Sequence, residues 1–458
     1  MESGQGAEEA GPSFPSHMYM RQWGLPRMSA DHFLGGRGLS VLRPHERALD
    51  ALPVPTLVSR QAYNPSVVAL PQPTRRRLAC PECVYAATLR VDWMTQCAGF
   101  TQRLARRQRA AQRTPFGARK RTLLMLLNES LGVVSWGWIE RPPARNTQPA
   151  PLARPAADLF SRAALHAGLN IIDSRLFLFR QRLHVLATYP ARSYASAIAP
   201  LRVRRHAGHR RLAAWVDRSD EVSLQQGACG GRSQAFFEHA EPNRSSRLLF
   251  LSWLAPALVC EVGAAAAHAE RHRRPAAAPR HEGAGLEAAA AALAASGSCA
   301  TAAAAPSASR AHARAASKCR LSLNGVILRV PEWGGALLGI GHLHRGFRDT
   351  LDGVALGRNL SYFAHHYTHF FFTLDATPPF AVSAVGPEFC LGASPRGTDC
   401  EVVQYVSGMA RRGPEALLLA YGANDCTQRL AEVSLASVRR DLRPVNRSRP
   451  RAVARTRR

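Results

Sequence analysis

From residue 62 onward the chain is built of short apolar runs, each closed off by a cluster of Gly, Pro, Asn or Arg. Runs of that length leave little room for helices. With turn residues on both sides, they predict an all-β chain. Strands are expected over 65–70, 84–91, 122–127, 132–139, 175–179, 182–188, 195–203, 235–238, 248–253 and 257–262. Strand-like sequence resumes at 321 and continues to 438.

The pattern is interrupted in places. Residues 1–55 mix Gly, Pro and charge without periodicity and are expected to form a poorly ordered lead-in. Residues 102–121 are strongly basic and are expected to be a surface loop. Residues 263–317 consist of Ala, His, Arg, Pro and Ser, and so few large apolar side chains cannot bury enough surface to offset the entropy of ordering. A disordered insertion is expected there, with a marginal Ala helix over 285–296. The last twenty residues, 439–458, hold nine arginines and are expected to be a basic disordered tail. The domain body is thus expected in two parts, 56–262 and 318–438.

The net charge of +28 raises nucleic acid or an anionic membrane as a partner. Lys120 and Lys318 are the only lysines among 60 basic residues, however, and Arg and Ala are used heavily throughout. That usage points to coding bias rather than a binding face, and no specific nucleic acid is expected. No run of 18 apolar residues occurs, and the first 25 residues lack an apolar leader core. A soluble chain is expected, with no membrane span and a secretory route open if further residues precede Met1.

Cys80 and Cys83 form the single Cys-x-x-Cys; a zinc ribbon needs a second such pair, and none is present. Cys97, Cys390, Cys400 and Cys426 are candidates for pairing in an oxidising compartment, with connectivity left open. Sequons stand at Asn128, Asn243, Asn359 and Asn446; Asn128 lies in an apolar, strand-like run where a glycan is not expected to fit.

The histidines are unevenly placed. On strands, spacings of two put His342 with His344 on one face, and His365, Tyr367 and His369 on another. Such a concentration suits a sugar or phosphate site, a metal site, or ordinary packing. Nucleophile elbows, phosphate loops and dinucleotide fingerprints are absent from the sequence, which removes the common nucleotide enzymes.

The stretch Leu417-Leu-Leu-Ala-Tyr-Gly-Ala-Asn-Asp-Cys426 reads as an apolar strand and a Tyr-Gly turn carrying Asp425, with a second strand over 430–438. It resembles the closing blade of the five-bladed β-propellers of the β-mannoside phosphorylase and hydrolase family (glycoside hydrolase family 130), which carries a Tyr-Gly-Ala-x-Asp element. Further spans resemble that family in order: Tyr63-Asn64-Pro65, Ile172-Asp173-Ser174-Arg175, Gly231-Arg232-Ser233, Trp333 to His342, and Phe372 to Phe380. Ile172 and Ser174 stand where the family element has Glu and Pro.

The resemblance implies an all-β, five-bladed β-propeller and a carbohydrate-active protein, a glycoside hydrolase or phosphorylase acting on a glycoside of β-mannosidic type. In a propeller the first strand of each blade faces a central funnel, so acids at the strand starts meet there. Asp173, Glu401 and Asp425 are then the expected catalytic carboxylates, with Glu388 behind them. Asn64, Arg175, Arg232, His342, His344, Tyr367 and His369 are the expected substrate-binding residues. No metal or organic cofactor is implied. Inorganic phosphate is the alternative co-substrate to water, and the partner is a glycan or small oligosaccharide. The oligomeric state is left open. Two rival readings stand beside this one: an inactive propeller that binds glycans or a protein, and a basic protein associated with nucleic acid.

Overall fold

A computed structural model describes residues 40–42, 45–48, 62–92, 120–140, 171–189, 195–205, 210–224, 234–240, 245–254, 257–262, 299–301, 321–323, 325–346, 365–391, 404–423 and 427–445. These residues are predominantly β-strand. No described helix is long and apolar enough to cross a membrane.

The chain opens with β1 (Ser40–Leu42) and β2 (His45–Ala48), which lie within the expected lead-in yet pair with strands far along the sequence. A first antiparallel meander follows: β3 (Ala62–Ala69), β4 (Tyr85–Asp92), β5 (Lys120–Leu127) and β6 (Val133–Glu140). A second holds β7 (Ile172–Phe179), β8 (Arg182–Tyr189), β9 (Ala195–Arg205), β10 (Leu212–Val216) and β11 (Val222–Leu224), and β10 joins β6 in parallel. A third runs through β12 (Ala235–His239), β13 (Arg247–Leu254), β14 (Ala257–Glu261) and β15 (Cys299–Thr301). The last of these lies within the expected insertion; residues 263–298 and 302–317 fall outside the described set.

Next come β16 (Leu321–Leu323), β17 (Gly325–Val326), β18 (Leu328–Val330), β19 (Ala336–Gly346), β20 (His365–Leu374), β21 (Val382–Val385) and β22 (Phe389–Leu391). Of these, β17 joins β12 in parallel and the others form a sheet around the β19–β20 pair, with β1 on its edge. The last sheet consists of β23 (Gln404–Arg412), β24 (Ala416–Ala423) and β25 (Thr427–Ser434), with β2 as its outer strand. The N-terminal strand therefore completes the sheet built from the C-terminal end of the chain.

The cores lie between neighbouring sheets. One cluster joins the first, second and third meanders through Leu124, Leu186, Leu212 and Phe236. Another joins the third to the β19–β20 sheet through Phe237, Leu249, Leu337 and Phe372. A third joins that sheet to the last through Ile340, Phe389, Leu419 and Tyr421. The last packs on the first through Leu89, Leu123, Ala410 and Leu418, so the order of contact closes on itself. Sheets covered on both faces explain why Leu123 to Leu127 are all buried without alternation. Strands β3, β7, β17 and β23 also touch in a cycle, each first in its stretch of chain or inserted beside one that is.

Two helices depart from the expected pattern. Helix α1 (Gln72–Arg77) follows Pro71, and α2 (Leu435–Asp441) begins within what reads as strand in the sequence. Its start is set by Ser434, whose hydroxyl oxygen accepts from the Ser437 N–H, capping an otherwise orphaned donor.

Candidate functional site

Strands β3 and β7 share a local feature the sequence conceals. Each loses register with its neighbour near its start, between Tyr63 and Ser66 in β3 and between Ile172 and Arg175 in β7. Within those bulges Asn64 and Asp173 hold left-handed backbone, with φ of 48° and 49°. Asn and Asp tolerate that region better than other side chains bearing a Cβ. A bulge re-aims the side chain it carries, and here the two meet: Asn64 Nδ2 donates to Asp173 Oδ1 at 3.2 Å. Arg90, reaching across from β4, donates to the same oxygen at 2.8 Å. Both members of this ion pair are about one-eighth exposed, so water screens them less than a surface pair. The Asp173 carboxylate is thereby fixed by two donors from another meander.

Gly422 accounts for the neighbouring surface. A Cβ there would stand 2.2 Å from Asn64 Oδ1 and 2.9 Å from the Asn64 nitrogen. The Tyr421-Gly422-Ala423 segment thus allows the bulge of β3 to lie directly on β24. Gly408 does the same one strand over, where a Cβ would be 2.3 Å from the Val67 nitrogen. Ser407 sits at a third register shift, between Val406 and Gly408, and donates to the Pro65 carbonyl.

Arg175 is 1% exposed. Its guanidinium donates to the Tyr405 hydroxyl and, at 3.5 Å, to the Gln234 carbonyl, while Nε is buried without a partner among the described residues. No carboxylate pairs with it among the described residues. At Gly325, with φ of 72°, a Cβ would stand 2.6 Å from the Ser407 carbonyl oxygen and 3.5 Å from Arg175 Cδ. A buried guanidinium without a counter-charge carries an unrepaid desolvation penalty.

Tyr405 links this cation to a ring cluster. His342 lies edge-on to both Tyr367 and Tyr405, at 5.2 and 4.9 Å between centroids. His369 is fully buried and stacks on Phe389. Its Nε2 accepts from the Val406 N–H at 3.2 Å, so the proton of the neutral ring sits on Nδ1, which is buried without a partner among the described residues. Burial lowers the His369 pKa from its ordinary value to about 3. Glu388 is buried as well and accepts from the Thr368 hydroxyl.

The structure therefore brings Asn64, Asp173, Arg175, His342, Tyr367 and His369 to the same end of the strands. Register places His344 opposite Tyr367, and its side chain lies outside the described set. Arg232, Glu401 and Asp425 lie outside the described residues altogether. Arg90 and Tyr405 were not among the sequence candidates. Arg90 is read in sequence as one position in an ordinary strand, and Tyr405 carries no motif. A cleft of about 620 Å³ opens elsewhere, at the opposite end of β12, lined by Glu238, His239, Arg329, Thr377 and Pro378. It is separate from the Asp173 end, where the charged and aromatic groups converge.

No family model matches the chain, and no curated protein does. Solved structures align over most of it. A β-1,2-mannobiose phosphorylase from Listeria innocua, in complex with β-1,2-mannobiose, is 10% identical, with 83% of this chain and 91% of that one covered at a TM-score of 0.39. A mannose phosphorylase from Leishmania mexicana, in complex with phosphate ion, is 10% identical, with 92% and 95% covered at 0.37. A glycosyl hydrolase from Bacteroides ovatus is 9% identical, with 89% and 96% covered at 0.37.

Proposed function

We propose that the chain is a carbohydrate-active protein, a glycoside hydrolase or phosphorylase built on a five-bladed propeller, with its site at the Asp173 end of the inner strands. The cyclic packing of the sheets supports the propeller reading. The observation that carries the functional reading is the convergence there of a doubly clamped carboxylate, a buried cation that pairs with no carboxylate among the described residues, and a cluster of aromatic rings. A carboxylate of this kind can hold or move the proton at a glycosidic oxygen. A buried guanidinium that pairs with no carboxylate among the described residues suits an anion, with inorganic phosphate as the co-substrate of phosphorolysis. Tyr367, Tyr405 and His342 offer ring faces and polar edges to a pyranose.

In this reading Asp173 is catalytic, together with Glu401 and Asp425, and Asn64 and Arg90 orient it. Arg175, Arg232, His342, His344 and Tyr367 bind substrate or phosphate. His369 is a positioning residue, acting through Val406 on Tyr405. The glycosidic C–O bond breaks, the leaving oxygen takes a proton, and water or phosphate forms the new bond to the anomeric carbon. Replacing Asp173→Asn keeps shape while removing the charge. It should abolish turnover on a panel of β-mannosides, assayed with and without phosphate, and leave the melting temperature within a few degrees. Undiminished turnover would remove Asp173 from the mechanism.

A further inference from the structure

We propose that Asn128 is an N-glycosylation site, carried on the hairpin between β5 and β6. The sequence places this sequon in an apolar run, but the structure ends the strand at Leu127 and turns the chain at Asn128. The turn is closed by the Asn128 N–H to the Gly132 carbonyl at 2.9 Å and the Leu131 N–H to the Asn128 carbonyl at 3.0 Å. Glu129 and Ser130 are exposed.

The side-chain amide is divided between two tasks. Asn128 Oδ1 accepts from the Ser130 hydroxyl at 2.8 Å and from the Gly132 N–H at 2.7 Å. Nδ2 donates to no described group, and Asn128 is half-buried at the start of a turn whose next two residues are exposed. Both hydrogen bonds use the carbonyl oxygen, which an N-linked glycan leaves in place. Modification at Nδ2 therefore preserves the turn.

Two further observations agree. Cys80 and Cys83 form a disulfide, and Cys260 and Cys390 are disulfide-bonded as well, which points to the oxidising compartment in which such transfer occurs. The hairpin also lies at the Tyr85 end of β4, whereas Arg90 and Asp173 mark the other end. A glycan on Asn128 thus leaves the proposed site open. The donor is a polyprenyl-diphosphate oligosaccharide: its C1–O bond to diphosphate breaks, a C1–N bond to Nδ2 forms, the lipid diphosphate leaves, and one Nδ2 proton passes to base.

The test is glycopeptide mass spectrometry on the full-length protein purified from its own cells. Trypsin should release peptide 122–145 in its simple form only after N-glycosidase treatment, with Asn128 converted to Asp. Ser130→Ala should leave Asn128 bare and Ser130→Thr should retain the glycan, both with turnover unchanged from the unmodified chain. Recovery of peptide 122–145 with an unmodified Asn128 before N-glycosidase treatment, as the predominant form, would overturn the proposal. So would glycans confined to Asn243, Asn359 or Asn446.

Discussion

Adding one methyl group at Gly422, in the last sheet, should disturb the Asp173 carboxylate in the second meander. The new Cβ of Gly422→Ala would lie 2.2 Å from Asn64 Oδ1, 2.9 Å from its nitrogen and 3.2 Å from its α-carbon. The first contact can be relieved by moving a side chain; the other two require the β3 bulge to shift. Overpacking of this kind costs about 1–3 kcal/mol. The shift also loosens the Asn64 hydrogen bond to Asp173. Asn64→Gly removes the nearest clashing atom and suits the φ of 48° at that position. Combined with Gly422→Ala, it should therefore recover part of the loss, leaving the double variant more stable than the sum of the singles by about 1 kcal/mol. Urea unfolding followed by tryptophan fluorescence, with linear extrapolation for all four proteins, measures the coupling. Additivity within about 0.5 kcal/mol would refute the argument that Gly422 exists to admit Asn64.

Other consequences follow from the site. Arg175→Met should unfold at the same or a higher temperature than the parent while losing phosphate-dependent stabilisation; a loss of more than about 2 kcal/mol would show that the buried cation is structural. His369 takes its proton near pH 3 when folded and near 6.5 when unfolded, so acid favours the unfolded chain progressively as pH falls from 6.5 towards 3. Between pH 7 and pH 5 this one group should remove roughly 1–2 kcal/mol, and His369→Asn should flatten that part of the stability profile; an unchanged slope would contradict the assignment. Ser434→Ala should cost about 1 kcal/mol by uncapping α2, read as a lower urea midpoint with unchanged slope.

Much of the strand pattern is legible because turn residues punctuate it: the expected strands over 122–127 and 182–188 lie inside the observed ones, and that over 84–91 is offset by one residue from Tyr85–Asp92. The beginnings of β3 and β7 were not. Asn64 and Asp173 read as loop residues in sequence, which starts the expected strands at Pro65 and Arg175. In the structure they are bulges inside strands that begin at Ala62 and Ile172. The same bulges set the partner of Asp173: in an unbroken strand Arg175 would share its face, whereas the register shift leaves Asp173 paired with Arg90. Side chains of two different meanders that meet across 83 positions leave no local trace in a sequence. The outer strand β2 was equally hidden, since four residues without an apolar stripe gain their structure from β25.

The most direct measurement is product analysis by NMR after incubating the purified chain with short β-linked mannosides, in phosphate and in phosphate-free buffer. The account predicts that the β-mannosidic bond is cleaved, giving the sugar 1-phosphate when phosphate is required and the free sugar when water suffices, with both products lost in Asp173→Asn. Intact substrate under both conditions, from a protein that unfolds cooperatively, would contradict the account.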